Sequence, residues 1–213
     1  TNPTVAALEE KLATLEGGRG GTVTSSGHAA ETLVLFPLMA PGMEVIVSNK
    51  LYGGTINLMG KSFKKFGWNA VFVDNDNPEA FRAAVNEKTR AIFVESLANP
   101  GGVIVDLEAI AKIAQEAEVP LIVDNTMATP WLCRPFEWGA DLVVHSTTKF
   151  LSGQGNAMGG IVIDSGRFPW FGNAKYPSLS EPCPDYNGLT FAETFGDMAF
   201  TLYSHAVSLR DLG

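Results

Sequence analysis

The chain has 213 residues, 46% of them hydrophobic and 18% charged, with a formal net charge of −8. That size and balance suit a globular domain with a sizeable buried core. The 15 Lys and Arg are scattered, which argues against a nucleic-acid partner, and no apolar run reaches bilayer-spanning length.

The opening TNPTVAALEEKLATLEGG lacks the basic-then-apolar layout of a secretory signal. Residues 27–42, GHAAETLVLFPLMAPG, read as a helix ending near Pro41-Gly42. Short runs rich in Val and Ile then recur at 44–49, 69–74, 91–95, 120–125, 141–146 and 159–164. Runs that are apolar on both faces suit strands of a mostly parallel sheet covered by helices. Helical patterns fill the gaps at 78–89 and 106–118. In the second, Leu107, Ile110, Ala111, Ala114 and Ala117 share one face, and Asp106 is placed to cap it. The alternation predicts an α/β fold: a three-layer α/β/α sandwich with a mostly parallel sheet. Residues 165–188 read as an irregular excursion, and 191–213 resume a helical rhythm.

Polar residues gather at the C-terminal ends of the predicted strands: Glu95, Asn99, Asp124, Asn125, Ser146 and Thr148. Open α/β sheets bind ligands at that edge. The two cysteines, Cys133 and Cys183, are too few for a disulfide framework and read as free thiols of a reducing cytoplasm. His28, His145 and His205 show no metal-ligand spacing, so no metal is expected.

Four stretches carry candidate chemistry, each with a bland alternative. Asp124, at the end of PLIVDN, is a helix cap or structural carboxylate, or the partner of a cationic ligand atom. Lys149 follows DLVVHSTT and precedes Gly153, Gly155, Gly159 and Gly160. It is a solvated loop charge, or an amine that loses its proton readily and attacks a carbonyl. SSGHAA (25–30) is ordinary capping, or an anion site built on the N–H groups of Gly27 and His28. Tyr52, before two glycines, is a packing element or a platform for a flat ring with a proton-exchanging phenol. A phosphate site, a ring platform, an acid facing a cation and an amine nucleophile together describe pyridoxal 5'-phosphate. No GxGxxG follows the first strand, which argues against a nicotinamide cofactor.

These stretches, with NPT (2–4), LEEKLATLEGG (8–18), YGGT (52–55), ESLANPGG (95–102), VDNTMATP (123–130) and HSTTKFLSG (145–153), resemble the Cys/Met-metabolism family of pyridoxal-phosphate enzymes. Within it, YGGTINL, residues 166–189 and the closing FAETFGDMAF resemble the O-acetylhomoserine sulfhydrylase subgroup. The resemblance implies fold type I and assigns roles. Lys149 bonds the cofactor aldehyde and shuttles the Cα proton. Asp124 pairs with the pyridine nitrogen, and Tyr52 stacks on the ring and exchanges a proton. Gly27 and His28 N–H groups with the Ser146 and Thr148 hydroxyls hold the phosphate. Asn99 reaches the phenolic oxygen, and Thr126 lies beside the cofactor. It implies γ-replacement on O-acetylhomoserine with sulfide, or another reaction of the family such as cystathionine γ-synthesis or γ-elimination. A non-catalytic cofactor-binding fragment is the remaining reading. It further implies a homo-oligomer, a dimer of dimers with the active site at the dimer interface. Residues 1–164 would form the cofactor-binding core, with 165–213 leading toward a C-terminal domain that supplies a substrate-carboxylate arginine. Two positions depart from the family pattern: His28 stands where Gln or Met is usual, and Met127 where an aromatic is usual; Gly54, where the γ-lyases carry cysteine, counts against methionine γ-lyase.

Overall fold

The computed structural model describes residues 2–212, so Gly213, the last residue of the expected 191–213 helical run, lies outside it. Seven strands form one sheet: β1 (Gly20–Thr24), β2 (Glu44–Ser48), β3 (Asn69–Val73), β4 (Thr89–Glu95), β5 (Leu121–Asp124), β6 (Leu142–Ser146) and β7 (Gly160–Asp164). Their spatial order is β1-β7-β6-β5-β4-β2-β3. β3, β2, β4, β5 and β6 run parallel, and β7 pairs antiparallel with both β6 and β1. The six predicted strands are all present. β1, GGTVT, was not expected from sequence. It contains one bulky apolar residue, and it forms by edge pairing to β7, with Thr22 and Thr24 buried.

Five principal helices accompany the sheet: α1 (Pro3–Glu16), α2 (Gly27–Leu35), α3 (Gly53–Asn57), α4 (Pro78–Ala84) and α5 (Leu107–Glu116). α1 is capped by Asn2, whose side chain accepts from Val5 N–H, and closes on left-handed Gly17. Asp106 caps α5 by accepting from Ala109 N–H, as expected. The other two helices stop short of their predicted ends. α2 ends at Leu35 rather than near Gly42, because Pro37 has no N–H to continue the ladder. α4 ends at Ala84 because Val85 turns extended, and Asn86 Oδ1 then accepts from Lys88 N–H in a competing turn.

Alternate residues of each strand serve opposite cores. Val45, Val47, Phe93, Ile122, Leu142, Val144 and Val162 face α2 and the C-terminal segments. Ile46, Ile92, Val94, Val123, Val143 and Ile163 face α1, α4 and α5. This is the expected three-layer sandwich. The irregular stretch after 165 is packed, not loose. Tyr176 and Leu179 are fully buried in the first core, and the Tyr176 hydroxyl donates to Arg90 O at 2.9 Å. The expected helix after 191 is broken into short pieces, first by Gly196 at φ +55° and then by a π-turn at Ser204–Ser208. No helix of the described residues is long and apolar enough to cross a membrane.

Candidate active site

β4, β5 and β6 end side by side, with Glu95 registered on Asp124 and Asp124 on Val144. Beyond these ends lies a cavity of about 320 Å³. Its walls are the start of α2, the Tyr52 segment, the Leu97–Asn99 loop, the turn after β5 and the Ser146–Lys149 segment, with Met158 at one side. All nine residues singled out from sequence line it: Gly27, His28, Tyr52, Asn99, Asp124, Thr126, Ser146, Thr148 and Lys149. A larger hollow of about 1250 Å³ runs along α5 against residues 167–175 and contains none of them.

The anion end is built by local rules. Ser26 caps α2: its Oγ accepts from Ala29 N–H (3.1 Å) and its carbonyl from Ala30 N–H (3.0 Å). The helix leaves the N–H groups of Gly27 and His28 without internal partners. A Cβ on Gly27 would stand 2.7 Å from Ser146 Cβ and 3.1 Å from its Cα, so glycine lets the helix start press on the end of β6. Thr126 Oγ1 accepts from Ser146 N–H at 2.8 Å and ties the β5 turn to the same strand end. The Thr148 hydroxyl is engaged with the Gly159 peptide, donating to its O (3.2 Å) and accepting from its N–H (3.1 Å).

Burial raises the Asp124 carboxyl above the ordinary aspartate range, and the hydrogen bonds from Thr126, including its N–H at 2.9 Å, pull in the other direction. A carboxylate in that position favours a cationic partner. Two more carboxyls share the cavity. Glu31 was not anticipated; Glu95 was noted only as a strand-end polar residue. Glu31 is 3% exposed, accepts from the Thr55 hydroxyl at 2.7 Å and leaves its Oε2 buried without a partner. Burial, then repulsion from Asp124, holds it well above the usual glutamate range. Glu95 is likewise pushed up by burial, to about 7, against the hydrogen bonds it accepts from the Tyr52 and Asn99 N–H groups. Glu31 stands one helical turn after Gly27 and shares that residue's face of α2, a spacing that places it on the cavity side once Gly27 is assigned there.

Lys149 differs from expectation in its surroundings. Its side chain is exposed at the cavity mouth and makes no ion pair among the described residues. Two of the glycines after it serve the packing of the chain. A Cβ on Gly160 would collide with Ser26 O, and one on Gly159 would stand 2.6 Å from Thr147 Oγ1, so both make room for the chain itself. Gly153 and Gly155 have φ near +70° in turns that face open space. The His28 imidazole, expected to matter less than its backbone, lies 6.0 Å from the Tyr52 ring. A Cβ on Gly54 would run into the Tyr52 ring and stand 2.7 Å from His28 Cε1, so the glycine leaves the room that the two rings occupy.

The residues present fit pyridoxal phosphate: a Gly27–Ser146 cradle with free N–H groups, a half-buried carboxyl short of a cation, a primary amine and an exposed aromatic ring around one cavity. Fold and site together define a pyridoxal-phosphate-dependent enzyme domain of fold type I. The model of the Cys/Met metabolism PLP-dependent enzymes matches residues 1–183, and the chain belongs to that family. It is 47% identical over its whole length to an O-acetyl-L-homoserine sulfhydrylase of Leptospira meyeri, covering 50% of that protein. It is 42% identical to the homocysteine/cysteine synthase of Saccharomyces cerevisiae, covering 48% of it. Among solved structures, it superposes with TM-score 0.96 and 39% identity on a Campylobacter jejuni protein described as an O-acetylhomoserine (thiol)-lyase with N'-pyridoxyl-lysine-5'-monophosphate. All of this chain and 52% of that one are covered. The chain thus spans about half the length of the relatives it matches.

Proposed function

We propose that the protein to which this chain belongs replaces the acetoxy group of O-acetyl-L-homoserine with sulfide, yielding L-homocysteine and acetate, within methionine biosynthesis. The observation that carries this reading is similarity over the whole of this chain to one half of O-acetylhomoserine sulfhydrylases, combined with all nine candidate residues lining one strand-end cavity. When bound, the cofactor supplies an electron-accepting ring conjugated to the amino-acid Cα. The chain's residues do the rest. The Gly27 and His28 N–H groups and the Ser146 hydroxyl would hold the phosphate, and Thr148 would join them by exchanging its bond to Gly159 O for one to the phosphate. Asp124 keeps a proton on the ring nitrogen, Asn99 faces the phenolic oxygen, and Thr126 fixes the adjoining turn. Lys149 Nζ would hold the cofactor through its aldehyde carbon, with release of water, and would carry the Cα proton. Tyr52 covers the ring and exchanges a proton through its hydroxyl.

Residues 1–164 serve as the cofactor-binding core, and 165–213 lead toward the remaining half that the relatives possess. We assign the active form to a homo-oligomer, a dimer of dimers. Exposed apolar side chains support a covering partner copy: Met158 lines the cavity, and Phe150 follows Lys149 in sequence. The two free thiols support a cytoplasmic setting. The test is an assay of the native-length protein on O-acetylhomoserine with sulfide, with cysteine, and with no nucleophile. Homocysteine from the first arm is expected. Product chiefly from the second arm would make it a cystathionine synthase, and from the third a γ-lyase. A bound cofactor without turnover in any arm would mark a non-catalytic binding protein.

A further inference from the structure

Tyr52 and Asn99 bring functional side chains to the cavity, yet both are exposed and neither side chain has a hydrogen-bond partner among the described residues. The His28 ring lies beside the Tyr52 ring, tilted at 40°. Their placement therefore depends on main-chain anchors. Both anchors converge on one side chain. Glu95 Oε1 accepts from the Tyr52 N–H at 2.6 Å, and Glu95 Oε2 accepts from the Asn99 N–H at 3.0 Å. Tyr52 lies in the connection after β2, and Asn99 in the connection after β4. Glu95 is 5% exposed and ends β4, the strand between β2 and β5. A second buried carboxyl reinforces the first loop: Glu31 holds Thr55, so the segment after Tyr52 is fastened to α2.

We infer that Glu95 is a positioning residue that spans two loops with one carboxylate and sets the ring platform and the phenolic-oxygen partner relative to each other. A two-oxygen acceptor of this length is required. Glutamine presents an NH₂ to one of the two N–H donors, and aspartate is one methylene too short to reach both. Burial accounts for why the bridge is selective. A desolvated carboxylate tolerates its position only while both oxygens are bonded, so the two loops are coupled rather than fastened separately.

The inference rests on the pyridoxal-phosphate reading, and its first test does not use the cofactor. Amide hydrogen exchange of the native-length apoprotein is compared for wild type, Glu95→Gln and Glu95→Asp. An NH₂ facing an N–H, or a side chain too short to reach both loops, displaces the shared anchor and should speed exchange in the segments around residues 52 and 99 together by roughly tenfold, with the sheet unchanged. Both variants should behave alike. A second measurement titrates pyridoxal phosphate into the same proteins and follows the visible absorbance against pH. Both variants should shift its titration midpoint, because the ring's neighbours have moved. Exchange that rises in one segment alone, or evenly over the whole chain, would overturn the bridge. So would an aspartate variant matching wild type, since charge without reach would then suffice. If wild type itself binds no cofactor while the two segments still loosen together, the coupling stands and the cofactor reading fails.

Discussion

His145 Nε2 lies 2.5 Å from Glu16 Oε1, with both side chains wholly buried. Asn125 Nδ2 donates to the same oxygen at 2.8 Å and to Cys133 O at 2.9 Å, while Asn125 Oδ1 accepts from Ser96 Oγ at 2.7 Å. The last residue of α1 is thus tied to β6 and to the residues just past β4 and β5. It does so from the sheet face opposite Asp124, since His145 registers on Ile161 of the α1-side core and Asp124 on Val144 of the other. The three strand ends that carry the site are held together from underneath.

Removing the hub of that network leaves two buried donors unpaired. Glu16→Ala should cost about 3 kcal/mol, the range for breaking a buried, charge-assisted pair. Urea unfolding of wild type and variant at one pH measures it. A loss under about 0.5 kcal/mol, the scale of an ordinary surface change, would show that the network carries no stability.

Gly27 offers a test of the anion cradle. Its missing Cβ is the space that Ser146 Cβ and Cα occupy, and a strand end cannot retreat as a flexible side chain can. Gly27→Ala should push the start of α2 off β6 and move the Gly27 and His28 N–H groups. We expect pyridoxal-phosphate affinity to fall by at least about tenfold, alongside an overpacking penalty of ~1–3 kcal/mol. Fluorescence titration with the cofactor reads the first and thermal unfolding the second. Affinity within twofold of wild type would separate the cradle from the phosphate.

Lys149 should behave in the contrary way. Its side chain is exposed and unpaired by any acidic group of the described residues, so Lys149→Ala should change stability by no more than ~0.5 kcal/mol. It should nonetheless abolish the visible absorbance that comes from a cofactor bonded to lysine. A visible band surviving in the variant would move the nucleophile elsewhere.

Much of this architecture was legible because strand and helix patterns have different periods and because strand ends carry polar residues. Six Val/Ile runs became six strands, and Asp124, Ser146 and Lys149 reached one cavity. What escaped notice shares a cause. β1 is a strand by pairing with β7, not by its own composition. Glu31 sits within a helix whose neighbours are apolar, where a lone carboxylate reads as solvent-facing until tertiary packing buries it. The bridge from Glu95 to two loops depends on a main-chain geometry that no residue spacing encodes. The exposure of Lys149 depends likewise on what surrounds the cavity mouth rather than on the strand that precedes it.

Asp164, which ends β7, connects burial to pH. Its Oδ1 accepts from Gly166 N–H at 2.8 Å, but Oδ2 is buried without a partner. Burial, with smaller repulsion from Asp141 and Asp197, raises the carboxyl from 3.8 to about 7. The folded state therefore holds a proton that the unfolded chain releases between about pH 4 and pH 7. Folding stability contributed by this group is complete below the unfolded value and falls as pH rises through the folded one. Asp141, raised by burial to about 6, adds to the same slope. Asp164→Asn keeps the acceptor for Gly166 and removes the charge. The variant should gain on wild type by on the order of 2 kcal/mol at pH 8, with the gap closing toward pH 4. Denaturant midpoints of both proteins from pH 4 to pH 8 measure it. Two parallel curves across that window would mean that Asp164 does not titrate there and that the unpaired oxygen finds its proton or partner by another route.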